Sequence, residues 1–184
     1  MSADAFVIPL KRFDVAKERL RVNNVDAVTA LAERLASRVI ISCRPRHTIV
    51  LSESDTISDF ATALGCEVLH SDARGLNDAV QRAYGALESR FERLIVVHGD
   101  LRDPDGLGSF DPDDGVTIVT DHRGLGTNVM ALPTGLDFQF SYGPHSASLH
   151  RREAERLDCR LTVITDSPWR FDVDEPDDLS PDST

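Results

Sequence analysis

Asp172 and Asp174 stand two residues apart near the end of the chain, followed by Glu175-Pro176-Asp177-Asp178. On an extended strand that spacing points both carboxylates to one face, where they repel unless a cation lies between them. A hard ion such as magnesium suits such oxygen donors. The same residues also read as an exposed acidic strand end, and on spacing alone both readings stand. Asp100 closes the apolar run Leu94-Ile95-Val96-Val97-His98-Gly99, at a strand's carboxyl end. Open α/β sheets bind ligands there, although an aspartate in that position can equally cap the next turn. Lys11, Lys17 and Arg19 follow the first apolar segment and suit a phosphate, or else a solvated helix start.

Three small-residue motifs offer further anion sites. Gly75-Leu76-Asn77 precedes a helical pattern, where free backbone N–H groups suit an anion or the edge of a base. Gly126-Thr127-Asn128 and Gly143-Pro144-His145-Ser146 combine glycines with hydroxyls and could hold a phosphate or carboxylate. Each also reads as a plain turn with a cap. Gly106-Leu107-Gly108 and Gly124-Leu125-Gly126 lack the third glycine of a dinucleotide fingerprint, and no Gly-Lys-Ser/Thr or Gly-x-Ser-x-Gly occurs. The histidines are scattered, with His145 and His150 five apart, so a histidine metal site is not expected.

These residues must be carried by an alternation of strands and helices. Phe6 to Pro9, Thr48 to Leu51, Val68-Leu69, Leu94 to Val97, Val116 to Thr120, Thr127 to Leu132, Leu161 to Thr165 and Arg170 to Val173 read as strands. Helical spacing joins Val28, Leu31, Leu35 and Val39, then Ile57, Phe60, Ala61 and Leu64 up to Gly65, then Leu76, Val80, Ala83 and Leu87, with a late helix over Gly143 to Leu157. Asp103 to Gly115 reads as a surface loop. The pattern predicts an α/β class, and the length of 184 residues predicts one domain over 1–184 with a polar tail after Leu179.

Composition limits the partners. Against 31 Asp+Glu there are 20 Lys+Arg, a net charge of −11 that repels a polyanionic backbone, so nucleic-acid binding is not expected. The only lysines are Lys11 and Lys17. No apolar run approaches the ~20 residues that span a bilayer. Met1 to Ala5 lack the features of a secretory signal, and Cys43, Cys66 and Cys159 read as reduced structural thiols, so a cytoplasmic protein is expected. The sequence predicts no oligomeric state.

In chain order, Pro9-Leu10-Lys11 with Ala16-Lys17-Glu18-Arg19-Leu20, Gly75-Leu76-Asn77, Asp100-Leu101, Gly126-Thr127-Asn128, Phe140 to Ser146, and Asp172-Val173-Asp174-Glu175-Pro176-Asp177-Asp178-Leu179 resemble one family. The chain is similar, from Phe6 to Leu179, to the 2-phospho-L-lactate / phosphoenolpyruvate guanylyltransferases of deazaflavin coenzyme F-420 biosynthesis. The resemblance implies a three-layer, Rossmann-like nucleotidyltransferase sheet, mixed but mostly parallel and flanked by helices. It further implies GTP as donor, Mg²⁺ as cofactor and a small phosphorylated carboxylic acid as acceptor. By that similarity Asp100, Asp172 and Asp174 hold the metal, and Thr127, Gly143 and Ser146 line the acceptor site. Lys11, Lys17 and Arg19 meet the GTP phosphates, while Gly75 and Asn77 face the nucleoside.

The chemistry implied is in-line attack of an acceptor phosphate oxygen on the α-phosphorus of GTP with loss of pyrophosphate, which needs no protein nucleophile. One departure is visible: the family reads Ala-Asp-Leu-Pro at the metal strand, and here Gly99-Asp100-Leu101-Arg102 precedes Asp103-Pro104. Two alternatives therefore accompany this reading. The same fold could serve another acceptor, such as 3-phosphoglycerate or a sugar phosphate, or the chain could be a silent nucleotide-binding paralogue.

Overall fold

In β1 (Ser2–Pro9) Ala5 and Val7 point into one apolar core and Phe6 and Ile8 into the other, all fully buried. A strand covered on both faces belongs in the middle of a sheet between two helical layers. The structure, a computed structural model, describes residues 2–16 and 25–173. Lys17, Arg19 and Asp174 lie outside the described residues.

Seven strands form one sheet: β1, β2 (His47–Ser52), β3 (Glu67–His70), β4 (Phe91–Val97), β5 (Val116–Thr120), β6 (Thr127–Pro133) and β7 (Leu161–Ile164). Their spatial order is β3-β2-β1-β4-β6-β5-β7, with β6 antiparallel to both neighbours and every other pair parallel. Helices α1 (Val25–Ser42) and α2 (Asp55–Ala63) bury Val39, Ile40, Ile57 and Ala61 against one face. Helices α3 (Leu76–Leu87) and α4 (Ser146–Arg156) bury Val80, Ala83, Leu87 and Ala154 against the other. This is the three-layer, mixed but mostly parallel α/β sheet expected from the sequence.

Three expectations are corrected. The segment Asp103 to Gly115 is not wholly a surface loop. A 3₁₀ turn at Leu107–Ser109 buries Leu107 completely, and Phe110 packs edge-on against Trp169 with ring centroids 4.9 Å apart. Gly108 permits this because a Cβ there would meet the Arg44 carbonyl oxygen at 1.9 Å. Arg170 to Val173 is not a strand either. Pro168 opens a 3₁₀ turn through Arg170, and only an isolated bridge, Leu101 with Asp172, joins the segment to the residues after β4. The late helix begins at Ser146, because Gly143 (φ 123) and His145 (φ 63) hold left-handed backbone. Among the described residues no helix is long and apolar enough to cross a membrane.

Candidate active site

The neighbours of β1 define the site. The crossover from β1 leads outward to β2, whereas β4 returns to its other side, so the carboxyl ends of β1 and β4 flank a topological switch point. The chain after β1, Pro9-Leu10-Lys11, and the chain after β4, His98-Gly99-Asp100, part there to line a cleft of about 350 Å³. Gly99 permits their close approach, since a Cβ there would lie 2.3 Å from Leu10 Cδ2. The cleft extends past Ser52 and Glu53 after β2 and Ser71 and Ala73 after β3 to Gly75 at the start of α3. Lys11, Gly75 and Asp100 are thus brought together. Gly75 holds φ 99, a conformation that disfavours any side chain, and places the open N–H groups of α3 at the cleft wall.

Asp172 does not line the cleft but is held next to the strand end that bears Asp100 by the antiparallel bridge to Leu101. The Val173 N–H donates to the Asp100 carbonyl oxygen at 3.1 Å, and the Arg102 N–H to the Phe171 carbonyl oxygen at 2.7 Å. The altered residue after Leu101 therefore keeps its backbone in the bridge, which sets Asp172 beside Leu101 and Val173 beside Asp100. Asn128 Nδ2 donates to Asp172 Oδ1 at 3.3 Å and to the Trp169 carbonyl oxygen at 3.1 Å. Arg170 ties the loop between β5 and β6 to this segment by donating to the carbonyl oxygens of Asp121 and His122, at 3.0 and 2.8 Å.

Carboxylate oxygens completed by water and substrate phosphates are the donors that magnesium takes, and Asp100 and Asp172, carried on bridged backbone, have that chemistry. Among the described residues no group of three or more His, Cys, Asp or Glu side chains converges as a metal cluster.

On the α4 side, Ser146 Oγ donates to Thr127 Oγ1 at 3.4 Å, and Thr127 Oγ1 lies 3.1 Å from His150 Nδ1. The Ser141 N–H donates to His150 Nε2 at 3.0 Å. Burial, reinforced by nearby His98, pushes the His150 pKa down to about 4, so the ring is neutral at pH 7. With Nε2 accepting, the ring hydrogen resides on Nδ1 and is donated to Thr127. The Thr127 hydroxyl, already accepting twice, keeps its own hydrogen for a further partner. Gly143 accepts from the Ser146 N–H at 3.1 Å, so Thr127, Gly143 and Ser146 form one continuous patch of structure.

Asn77 is placed differently from its expected role. Its Nδ2 donates to the Tyr142 carbonyl oxygen at 3.0 Å and its Oδ1 accepts from the Tyr142 N–H at 2.5 Å. Both amide atoms thereby fasten the segment that leads to Gly143, and Asn77 is not among the residues lining the cleft. Sequence reasoning passed over His150, although it lies one helical turn after Ser146 and therefore on the same face. It also passed over Asn128, within the Gly126-Thr127-Asn128 motif it had noticed, and over His98, which lines the cleft and packs on Tyr142 with ring centroids 5.4 Å apart.

The fold and the switch-point cleft together define a nucleotidyltransferase-type architecture. A nucleotidyl transferase from Methanothermobacter thermautotroptrophicus superposes with a TM-score of 0.62 at 16% identity, over 96% of this chain and 94% of that one. Residues 4–181 match the family described as "Guanylyl transferase CofC like", and the chain belongs to that family. Among curated relatives, the phosphoenolpyruvate guanylyltransferase of Chloroflexus aurantiacus is 29% identical over 189 residues, 94% of this chain and 91% of the relative. The 3-phospho-D-glycerate guanylyltransferase of Colwellia psychrerythraea is 30% identical over 140 residues, 72% of this chain and 66% of the relative.

Proposed function

We propose that this protein transfers GMP from GTP to a small phosphorylated carboxylic acid, phosphoenolpyruvate or 2-phospho-L-lactate, with release of pyrophosphate, as a step of coenzyme F-420 biosynthesis. The observation that carries this reading is the meeting of Lys11, Gly75 and Asp100 in one cleft, with Asp172 bridged to the strand end that bears Asp100. Family membership supplies the guanylyl group.

The reaction brings two anions together, so charge neutralisation and alignment are the main tasks. Lys11, on the cleft wall, binds donor phosphates, with Lys17 and Arg19 assigned the same role. Gly75, at the start of α3 on the cleft wall, faces the nucleoside. Asp100, Asp172 and Asp174 are the residues that would hold Mg²⁺, which would supply charge neutralisation on the phosphates. Thr127, Gly143 and Ser146 take the acceptor's phosphate and carboxylate, and the spare hydrogen of the Thr127 hydroxyl is a donor for one of those oxygens. His150 stays neutral and orients Thr127. No general base is needed, because the attacking phosphate is already ionised near pH 7, and no protein nucleophile is used.

The test is mass spectrometry of the purified protein with GTP, Mg²⁺ and, separately, phosphoenolpyruvate, 2-phospho-L-lactate and 3-phosphoglycerate. A GMP-linked acid and pyrophosphate are expected from one of the first two. No product from any acid would remove the reading, and a guanylylated protein trapped with GTP alone would remove direct transfer.

A further inference from the structure

The nucleotide cleft has two ends of different character. At the switch point lie Lys11 and Asp100, the residues suited to phosphates and their metal. The other end, beyond β2 and β3, is lined by Ser52, Glu53, Ser71 and Ala73. A nucleotide whose phosphates sit at Lys11 and Asp100 therefore lays its base against this second group. Among the described lining residues Glu53 and Asp100 are the only carboxylates, so Glu53 is the one described negative charge on the base side.

Its setting is rigid. Ser52 ends β2 in register with His70 of β3, and the Ser71 N–H donates to the Ser52 carbonyl oxygen at 3.0 Å. Ser52 Oγ accepts from the Ser54 N–H and Ser71 Oγ from the Ala73 N–H, both at 3.3 Å. Each hydroxyl thus keeps its hydrogen to donate. Glu53 itself is exposed to the cleft and forms no hydrogen bond or ion pair with a described residue.

We infer that the Glu53 carboxylate selects the base, accepting from the N1–H and 2-amino group of a 2-amino-6-oxopurine, while the Ser71 hydroxyl donates to its 6-oxo group. An ionised carboxylate accepts and cannot donate. It therefore meets the adjacent donors of guanine and opposes the bare N1 of adenine or N3 of cytosine. The inference deepens the proposed function and rests on its placement of the nucleotide.

Inosine triphosphate, which lacks only the 2-amino group, isolates the contact. Calorimetric binding of GTP and ITP with Mg²⁺ is compared in the wild type, Glu53→Gln and Glu53→Asp, alongside the transfer assay. The wild type is expected to bind GTP about 10- to 100-fold more tightly than ITP, the range of a hydrogen bond to a charged group. In Glu53→Gln both affinities fall, that of GTP more because it loses the charged partner of two donors where ITP loses the partner of N1–H alone, and the ratio collapses towards one; Glu53→Asp recovers part of it. A GTP/ITP ratio unchanged in Glu53→Gln overturns the assignment even if transfer proceeds normally. A Glu53-dependent ratio in a protein that makes no GMP-acid upholds the base site and removes the acceptor reading instead. Failure to bind either nucleotide removes both.

Discussion

The Asn128 side chain holds Asp172 in place: one amide nitrogen donates to the Asp172 carboxylate at 3.3 Å and to the Trp169 carbonyl oxygen at 3.1 Å. Asn128 sits on β6, next to the antiparallel partner strand β4, and its carbonyl oxygen accepts from the His98 N–H at 3.0 Å. One buried residue therefore ties the segment carrying Asp172 to the strand end carrying Asp100. Substitutions of residues that orient metal ligands characteristically cost about 10- to 100-fold. Asn128→Ala is expected to lower kcat/KM by that amount and to raise the magnesium concentration needed for half-maximal rate. A magnesium titration of the transfer reaction checks it; a lowered melting temperature with an unshifted magnesium dependence would assign Asn128 to packing alone.

Removing a ligand's charge should act more severely than misorienting it. Asp100→Asn and Asp172→Asn are each expected to reduce turnover by about 100-fold or more, with little change in thermal stability, because each removes a charge from the site rather than an apolar contact. Unchanged turnover at saturating magnesium would remove the residue from the metal site.

Lys11 is exposed on the cleft wall and makes no core contact. Lys11→Met is expected to raise the KM for GTP about 10-fold or more, the range for losing a charge-assisted hydrogen bond to phosphate. Because the contact is solvent-accessible, the difference from wild type should narrow as ionic strength rises. A KM for GTP equal to that of the wild type at low salt would contradict the role.

His150 links stability to pH. Its native pKa, near 4, lies below the unfolded value of 6.5, so between those values the unfolded chain binds a proton that the native protein does not. Its contribution is complete above pH 6.5 and is lost as pH falls towards 4, by up to about 3 kcal/mol at one pKa unit per 1.36 kcal/mol. Urea unfolding from pH 7 to pH 4.5 should show this slope in the wild type and a shallower one in His150→Gln. Parallel slopes would exclude His150 as the titrating group.

Much of the frame is legible in the sequence because burial on two faces leaves a strong signal. The apolar runs of β1, β4, β5 and β6 and the helical stripes of α1 and α3 each locate an element to within a few residues. The acidic end of the chain was less readable. Spacing made Arg170 to Val173 a strand, but Pro168 spends that stretch on a 3₁₀ turn, and Asp172 enters the site through a single bridge to Leu101. In Asp103 to Gly115 the Asp, Pro and Gly content concealed the burial of Leu107, which depends on space beside the Arg44 carbonyl made by Gly108.

By itself, then, the sequence determined the alternation of strands and helices and the residue types available for phosphate and metal, since both follow from local pattern and side-chain chemistry. Tertiary structure alone decided which of them meet. Strand order put β1 against β4 and so set Lys11 and Asp100 in one cleft. Burial made His150 neutral, and partners distant in sequence turned Asn77 to Tyr142 and Asn128 to Asp172. Hydrogen bonds between residues 44 to 65 positions apart leave no periodic trace in a chain, because they depend on where the sheet brings the backbone rather than on what stands next to it.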